Sequence, residues 1–243
     1  MPKWNPATIQ KIEQRSPTVR SFWLELPHHE RLTYQPGQFV TLELPVTERR
    51  RDGWRSYSIA AAPNGSNQVE LCVVQLPDGK GSTWLFEETM VGTQIMAKDP
   101  GGVFKLPPTP LEKDIVFICT GTGVAPFRAM LQERLPKEKV NFHLIFGCRT
   151  EEDILYREEF EAMAEEYDNF HYSLAISRQD MPSGEGVETT RGYVHAVYEQ
   201  HYPVYRADLQ FYLCGWSEMV DEAKNKLAEM GYGEDQVLLE LYG

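Results

Sequence analysis

In the first half of the chain, short runs rich in apolar, β-branched and aromatic residues alternate with turn residues. The runs fall at 19–26, 39–44, 56–61, 69–75 and 93–97, separated by Pro36-Gly37, Asp52-Gly53, Pro63-Asn64-Gly65 and Asp99-Pro100-Gly101-Gly102. Short strands with regular turn signals predict an antiparallel barrel or sandwich. One helical stretch, 82–88, interrupts them, with Ser82 as its candidate N-cap.

The rhythm changes after Leu106-Pro107-Pro108-Thr109-Pro110, a proline-dense segment that suits neither helix nor sheet and reads as a linker. Buried-type strands at 115–119, 141–146, 172–176, 208–214 and 237–241 now alternate with helical patterns at 126–134, 154–167, 194–200 and 217–230, the last opened by Ser217. Strand–helix alternation predicts βαβ units and a parallel sheet. The expected architecture is an N-terminal antiparallel β-barrel domain, residues 1–108, followed by a C-terminal parallel-sheet α/β nucleotide-binding domain, residues 109–243. In such proteins ligands bind between domains and at the carboxyl ends of the strands.

Charge sharpens the division. The 243 residues carry a net charge of −12, which splits into +1 over residues 1–110 and −13 over the remainder. An acidic chain does not suggest a nucleic-acid partner. Apolar residues at 42% and charged residues at 25% are those of a globular protein. No apolar run is long enough for a conventional transmembrane helix. The opening Met-Pro-Lys-Trp-Asn has no basic patch followed by an apolar stretch, so no secretory signal is expected and the expected compartment is the cytoplasm. Cys72, Cys119, Cys148 and Cys214 are too scattered for an iron–sulfur cluster or a zinc knuckle. The six histidines lack metal-ligand spacing, and His28-His29 reads as a turn.

Two segments can cradle phosphate. Thr120-Gly121-Thr122-Gly123-Val124-Ala125-Pro126 joins a strand to a helix, where glycines allow close backbone approach and the helix start offers free N–H groups. Pro126 stands where the G-x-G-x-x-G fingerprint has its third glycine. Gly79-Lys80-Gly81-Ser82-Thr83 offers backbone donors and hydroxyls at a helix start. The first segment also suits a tight turn with no ligand, and the second an ordinary capped helix. Two cradles on two domains suggest two nucleotides.

Arg55-Ser56-Tyr57-Ser58 resembles the R-x-Y-S/T flavin motif of the ferredoxin–NADP⁺ reductase superfamily. Tyr34-Gln35-Pro36-Gly37-Gln38-Phe39, Gly79–Leu85, Gly121–Pro126, Phe146-Gly147-Cys148-Arg149 and Leu213-Cys214-Gly215 are similar to further motifs of that family, in its order and over nearly the whole chain. The resemblance implies an FAD barrel joined to a nicotinamide-nucleotide domain. It places Arg55 on flavin phosphate, Tyr57 against the isoalloxazine and Ser58 near flavin N5. It gives the FAD pyrophosphate to Gly81, Ser82 and Thr83, and adds Val73 to the cofactor-binding set. It gives the NAD(P) nucleotide to Thr120, Gly121, Thr122, Gly123, Arg149, Cys214 and Gly215. The residue types agree: an Arg fork suits phosphate, and a Tyr two positions along a strand faces the same side.

The ending Leu239-Glu240-Leu241-Tyr242-Gly243 is similar to the Glu-x-Tyr ending of plant-type members, with one added glycine. Tyr242 is expected to be a gate over the flavin, or else an aromatic packed on its neighbours. Ser58, Cys214, Glu240 and Tyr242 form the expected catalytic set, acting by positioning and local polarity because hydride transfer needs no general base. Ser177-Arg178, Arg191 and Tyr193 fall where the family grips a 2′-phosphate and stacks adenine. NADPH is therefore the expected substrate, with NADH as the alternative because Asp180 lies close by.

The expected function is that of an FAD-dependent NAD(P)H oxidoreductase. It would take hydride from NADPH and pass single electrons to a small carrier protein such as ferredoxin or flavodoxin. Arg49-Arg50-Arg51 is either a docking patch for that carrier or a solvated loop. The alternatives are a free-flavin or quinone reductase, and an electron-transfer subunit of a larger redox complex.

Overall fold

The computed structural model describes residues 3–180 and 187–242. No helix among the described residues is long and apolar enough to cross a membrane. The chain folds as two compact units, Met1–Leu106 with Ala125–Glu133, and Pro107–Val124 with Arg134–Gly243.

In the first unit, β1 (Trp4–Ser16), β2 (Val19–Glu25), β3 (Phe39–Glu43), β4 (Trp54–Ser58), β5 (Gln68–Val74) and β6 (Gln94–Lys98) form one antiparallel sheet in the order β4-β3-β6-β1-β2-β5. Alternation decides the faces: Val40 and Leu42 of β3 are buried while Phe39, Thr41 and Glu43 are not. With Ile9, Phe22, Leu24, Val69, Leu71 and Ile95 they fill one core. The two end strands also meet, since Ile59 bridges Leu71 and the Ala60 N–H donates to the Glu70 carbonyl at 2.8 Å. The sheet thereby curls into the barrel the spacing predicts. Glu70 is buried in it, accepting from Ser21 Oγ at 2.7 Å and from the guanidiniums of Arg128 at 2.8 Å and Arg15 at 3.3 Å. Paired this way, a buried carboxylate is tolerated.

The second unit contains β7 (Asp114–Thr120), β8 (Phe142–Cys148), β9 (Phe170–Ile176), β10 (Val187–Arg191), β11 (Leu209–Trp216) and β12 (Val237–Tyr242). All pair in parallel, in the order β10-β9-β8-β7-β11-β12. Ile115 to Cys119 of β7 are all buried, as expected of a strand covered on both faces. Of the helices, α1 (Lys80–Glu87) and residues Ala125–Glu133 of α2 (Val124–Arg134) belong to the first unit, and α3 (Arg157–Glu166), α4 (Val194–His201) and α5 (Ser217–Glu229) to the second. Strand order runs outward one way from β7 through β8, β9 and β10 and the other way through β11 and β12. The reversal between β7 and β11 makes a topological switch point, where open α/β sheets bind ligands at the carboxyl ends of the strands.

Some elements differ from expectation. β1 and β10 lie outside the strand runs that the sequence pattern marks. α1 is capped at Gly79 rather than Ser82. α3 begins at Arg157 rather than 154, because Ile154, which ends a 3-10 turn at Glu151–Asp153, is extended and Tyr156, the residue before the helix, sits in the left-handed region at φ +56°. α5 begins at Ser217, but with Trp216 as its cap and no side-chain cap bond.

Candidate functional site

Each unit holds one of the two candidate phosphate cradles. In the first unit, Trp54–Ser58 pairs with Phe39–Glu43, so Arg55 stands opposite Leu42 and Tyr57 opposite Val40. The Arg55 guanidinium donates through Nη1 to the carbonyls of Asp52 at 2.9 Å and Trp54 at 2.8 Å. These bonds hold the fork on one side of the strand. α1 begins against it: a Cβ on Gly81 would lie 3.1 Å from Leu44 Cδ1, 3.2 Å from Arg55 Cγ and 3.3 Å from Arg55 Nε.

The structure thus brings Arg55 and the Gly79–Thr83 turn together, although some 25 residues separate them. α1 has no side-chain cap and no acidic residue in its first turn. Its first N–H groups have no intrahelical acceptors, and with the guanidinium they make a donor set for a phosphate or pyrophosphate. A cleft of about 640 Å³, lined by Val46, Arg49, Asp52 and Lys80 among others, opens beside it. The Ser82 hydroxyl is spent within the loop, accepting from the Leu76 N–H and donating to the Gly79 carbonyl, both at 3.0 Å. It shapes the cradle more than it offers a free donor. Tyr57 packs on the barrel core, and burial pushes its phenol up to about 12, against the opposing pull of Arg55. Ser58 is buried at the end of β4, and Val73 is buried within the core on β5.

The second cradle stands at the switch point. Thr120, Gly121, Thr122 and Gly123 leave β7 through a 3-10 turn with no side-chain cap and no acidic residue. Gly121 has φ +52°, and nothing lies within 4 Å of where its Cβ would be, so its backbone faces open space. Gly123 and Gly215 are needed for another reason. A Cβ on Gly123 would lie 2.4 Å from the Cys214 carbonyl oxygen, and one on Gly215, itself at φ +138°, 2.4 Å from Thr120 Oγ1. Thr120 Oγ1 accepts from the Trp216 N–H at 3.2 Å, which ties the two strand ends together. A backbone turn at a switch point, open at Gly121 and with no acidic residue of its own, could hold a nucleotide phosphate.

The C-terminal strand completes this cluster. Register places Cys214 beside Cys119 on one side and Glu240 on the other, and Trp216 beside Tyr242. Burial pushes the Cys214 thiol up strongly; the nearby Glu240 carboxylate adds to this, while a hydrogen bond with the Tyr242 side chain opposes it. Cys214 is therefore a neutral thiol rather than a nucleophilic thiolate. Three members of the expected catalytic set, Cys214, Glu240 and Tyr242, are thus neighbours.

Arg149, Ser177, Arg178, Arg191 and Tyr193 gather at the carboxyl ends of β8, β9 and β10. The Ser177 N–H donates to the Cys148 carbonyl at 3.1 Å, the Arg178 N–H to the Arg149 carbonyl at 2.9 Å, and Arg191 pairs in register with Ile176. Arg191 already holds Asp180, at 2.9 Å and 3.1 Å, but both side chains are largely exposed. Such a pair is screened by solvent and gives way easily to a phosphate dianion. Tyr193 stands at the N-cap of α4 and is 71% exposed, available for stacking. In the basic run of the first unit, Arg50 is engaged by Glu43 at 2.6 Å and 2.7 Å, and Arg51 stands over Trp54.

A third feature was not legible in sequence. At the amino ends of the parallel strands, the opposite ends from the Thr120–Gly123 turn, lies a cavity of about 470 Å³ lined by Asp114, His143, His171, Ser173, Glu188 and His201 among others. The His143 ring is buried between Tyr202 Oη and Ser173 Oγ, each at 2.8 Å. Burial, with His201 and His171 alongside, lowers its pKa to about 3.

Residues 6–106 match the oxidoreductase FAD-binding domain family and residues 117–225 the oxidoreductase NAD-binding domain family. A flavin domain followed by a nicotinamide-nucleotide domain defines an FAD-dependent NAD(P)H oxidoreductase. A ferredoxin–NADP reductase of Sorangium cellulosum is 33% identical over 97% of this chain and 96% of its own length. The electron transfer component of anthranilate 1,2-dioxygenase from Acinetobacter baylyi is 30% identical over 96% of this chain, which spans 66% of that protein. A ferredoxin–NADP⁺ reductase structure from Neisseria gonorrhoeae, with FAD and NADP bound, superposes with a TM-score of 0.81 over 99% of both chains, at 23% identity. The chain belongs to the ferredoxin–NADP reductase family.

Proposed function

We propose that this protein takes a hydride from NADPH onto FAD and passes the electrons singly to a separate small electron-carrier protein of the ferredoxin or flavodoxin kind. The observation that carries the reading is the convergence of the bare Thr120–Gly123 turn with Cys214, Gly215, Glu240 and Tyr242 at one switch point. The names of the relatives from Sorangium and Acinetobacter support the acceptor class.

FAD, when bound, supplies an acceptor that takes two electrons together and can release them one at a time. The residues of this chain bind and orient. Arg55 and the first turn of α1 would hold the flavin pyrophosphate, and Tyr57 and Ser58, on the same strand as Arg55, would bind the isoalloxazine. The Thr120–Gly123 turn seats the nucleotide pyrophosphate. Cys214 offers a compact, uncharged thiol that accommodates the nicotinamide without attacking it, and Glu240 sets the polarity behind that thiol. Tyr242, hydrogen-bonded to the thiol, would act as the gate of this site, displaced when the nucleotide enters. Ser177, Arg178, Arg191 and Tyr193 receive the 2′-phosphate and adenine, which favours NADPH over NADH.

Stopped-flow reduction of the flavin by NADPH tests the assignment. Cys214→Ala and Ser58→Ala should each slow hydride transfer by about tenfold or more, since misplacing reacting groups forfeits orientation. If both variants reduce at the wild-type rate, these residues do not position the reaction.

A further inference from the structure

The surface of the first unit carries a group that the redox reading does not use. The N–H of His29 donates to the Leu26 carbonyl at 3.1 Å, so the chain turns just after β2. Consecutive side chains on a strand point to opposite faces, but this turn puts both imidazoles on one side. Their ring centroids are 4.2 Å apart. Both reach the same atom: His28 Nε2 lies 2.7 Å and His29 Nε2 2.8 Å from Asp99 Oδ1. One ligand atom from each residue thus lies within 4.8 Å of the other two. Asp99 follows directly on β6, far from the histidines in sequence. Its neighbour Lys98 turns away, its ammonium over the rings of Trp4 at 4.7 Å and Trp54 at 4.1 Å. All three side chains of the cluster are partly exposed, at 25%, 31% and 50%.

We propose that His28, His29 and Asp99 form a binding site for a late first-row divalent cation, zinc foremost. Two imidazoles and one carboxylate are a donor set for such ions and a poor one for magnesium or calcium, which require oxygen ligands. Ligand bonds of about 2.0 Å in tetrahedral array put ligand atoms about 3.3 Å apart, so the cluster opens by about half an ångström to admit the ion. Each neutral imidazole presents the Nε2 lone pair by carrying its proton on Nδ1 instead. Water fills the position left open on the solvent side. The ion would cross-link the turn after β2 to the segment after β6. That segment pairs with the start of β3, since Phe39 and Gly101 exchange backbone hydrogen bonds at 2.8 Å and 3.0 Å. Metal binding should therefore stiffen the first unit while using no residue of either nucleotide cradle.

The test is isothermal titration of zinc chloride into tag-free, FAD-loaded full-length protein that has been stripped with a chelator, followed by thermal unfolding with and without zinc. The wild type should take up one zinc ion per chain with a rise in Tm, and magnesium chloride should do neither. His28→Ala/His29→Ala and Asp99→Asn should each keep flavin and lose zinc affinity by about tenfold or more, together with the Tm rise. The proposal is overturned if the double histidine variant binds zinc with wild-type affinity and stoichiometry, or if the wild type takes up no zinc.

Discussion

Gly123 is the point where a single methyl group should break the nucleotide site while leaving the flavin domain whole. A Cβ there would lie 2.4 Å from the Cys214 carbonyl oxygen, 2.6 Å from its carbonyl carbon and 2.7 Å from Gly215 Cα, where ordinary contact is 3.4–4 Å. All three atoms are backbone, so no side chain can rotate away. The end of β11 must retreat by about 1 Å, and β11 is held on both sides, by β7 and β12. Overpacking of this kind costs about 1–3 kcal/mol of stability. A displacement of about 1 Å in positioning groups costs about 100-fold in turnover. Gly123→Ala should therefore lower kcat/KM for NADPH, measured with ferricyanide as acceptor, by about 100-fold while flavin content stays at the wild-type level. Gly121→Ala is the matched control. Nothing lies within 4 Å of its Cβ, and only its φ of +52° is unfavourable. That strain is about 1–2 kcal/mol, for an expected loss of at most about five- to thirtyfold. If Gly123→Ala stays within about threefold of wild type, or Gly121→Ala is the worse of the two, the close approach of Gly123 to β11 does not organise the site.

Two further outcomes follow from the second unit. Arg178→Ala should shrink the preference for NADPH over NADH, measured as the ratio of kcat/KM values, by about ten- to a hundredfold, the worth of a hydrogen bond to a charged group; an unchanged ratio would remove Arg178 as the selector. His143 gives a pH dependence. Its folded pKa is lowered to about 3 against about 6.5 unfolded, so on acidification the unfolded chain takes the proton first. Its contribution to stability is complete above about pH 6.5 and declines as pH falls toward 3, by about 2–3 kcal/mol at pH 4.5. Urea unfolding at pH 7 and pH 4.5 should show a smaller acid loss for His143→Gln than for wild type, and equal losses would contradict the assignment.

Much of this molecule is written locally in its sequence. The buried runs of β7, β8 and β11 are apolar on both faces, and the proline-dense segment after Leu106 marks where contacts regroup at Pro107. β1 was illegible because its inward positions are Asn5, Ala7 and Ile9, with Pro6 between them. Pro6 is tolerated because β1 meets only β6 at that point, its pairing with β2 starting at Thr8. β10, Val-Glu-Thr-Thr-Arg, is an edge strand with one partner and a single fully buried residue, so it lacks the apolar signal of its neighbours.

Motif spacing named the members of each cradle, but the contacts that assemble them are tertiary. Arg55 meets Gly81, and Gly123 meets Cys214, only because strand order places them side by side. The same holds for His28, His29 and Asp99, whose spacing in the chain hides a common carboxylate oxygen. Ser82 shows the limit of a local rule. Its hydroxyl chose the loop carbonyl of Gly79 and the Leu76 N–H over the role of helix cap.

The most direct test of the central claim is the visible absorption spectrum of the purified protein under anaerobic conditions, before and after one equivalent of NADPH. The account predicts the absorption of a retained flavin, identified as FAD on release, that bleaches with NADPH and returns when an oxidised ferredoxin or flavodoxin is added. A protein that fails to hold FAD when reconstituted with it, or whose flavin NADPH leaves unbleached, would contradict it.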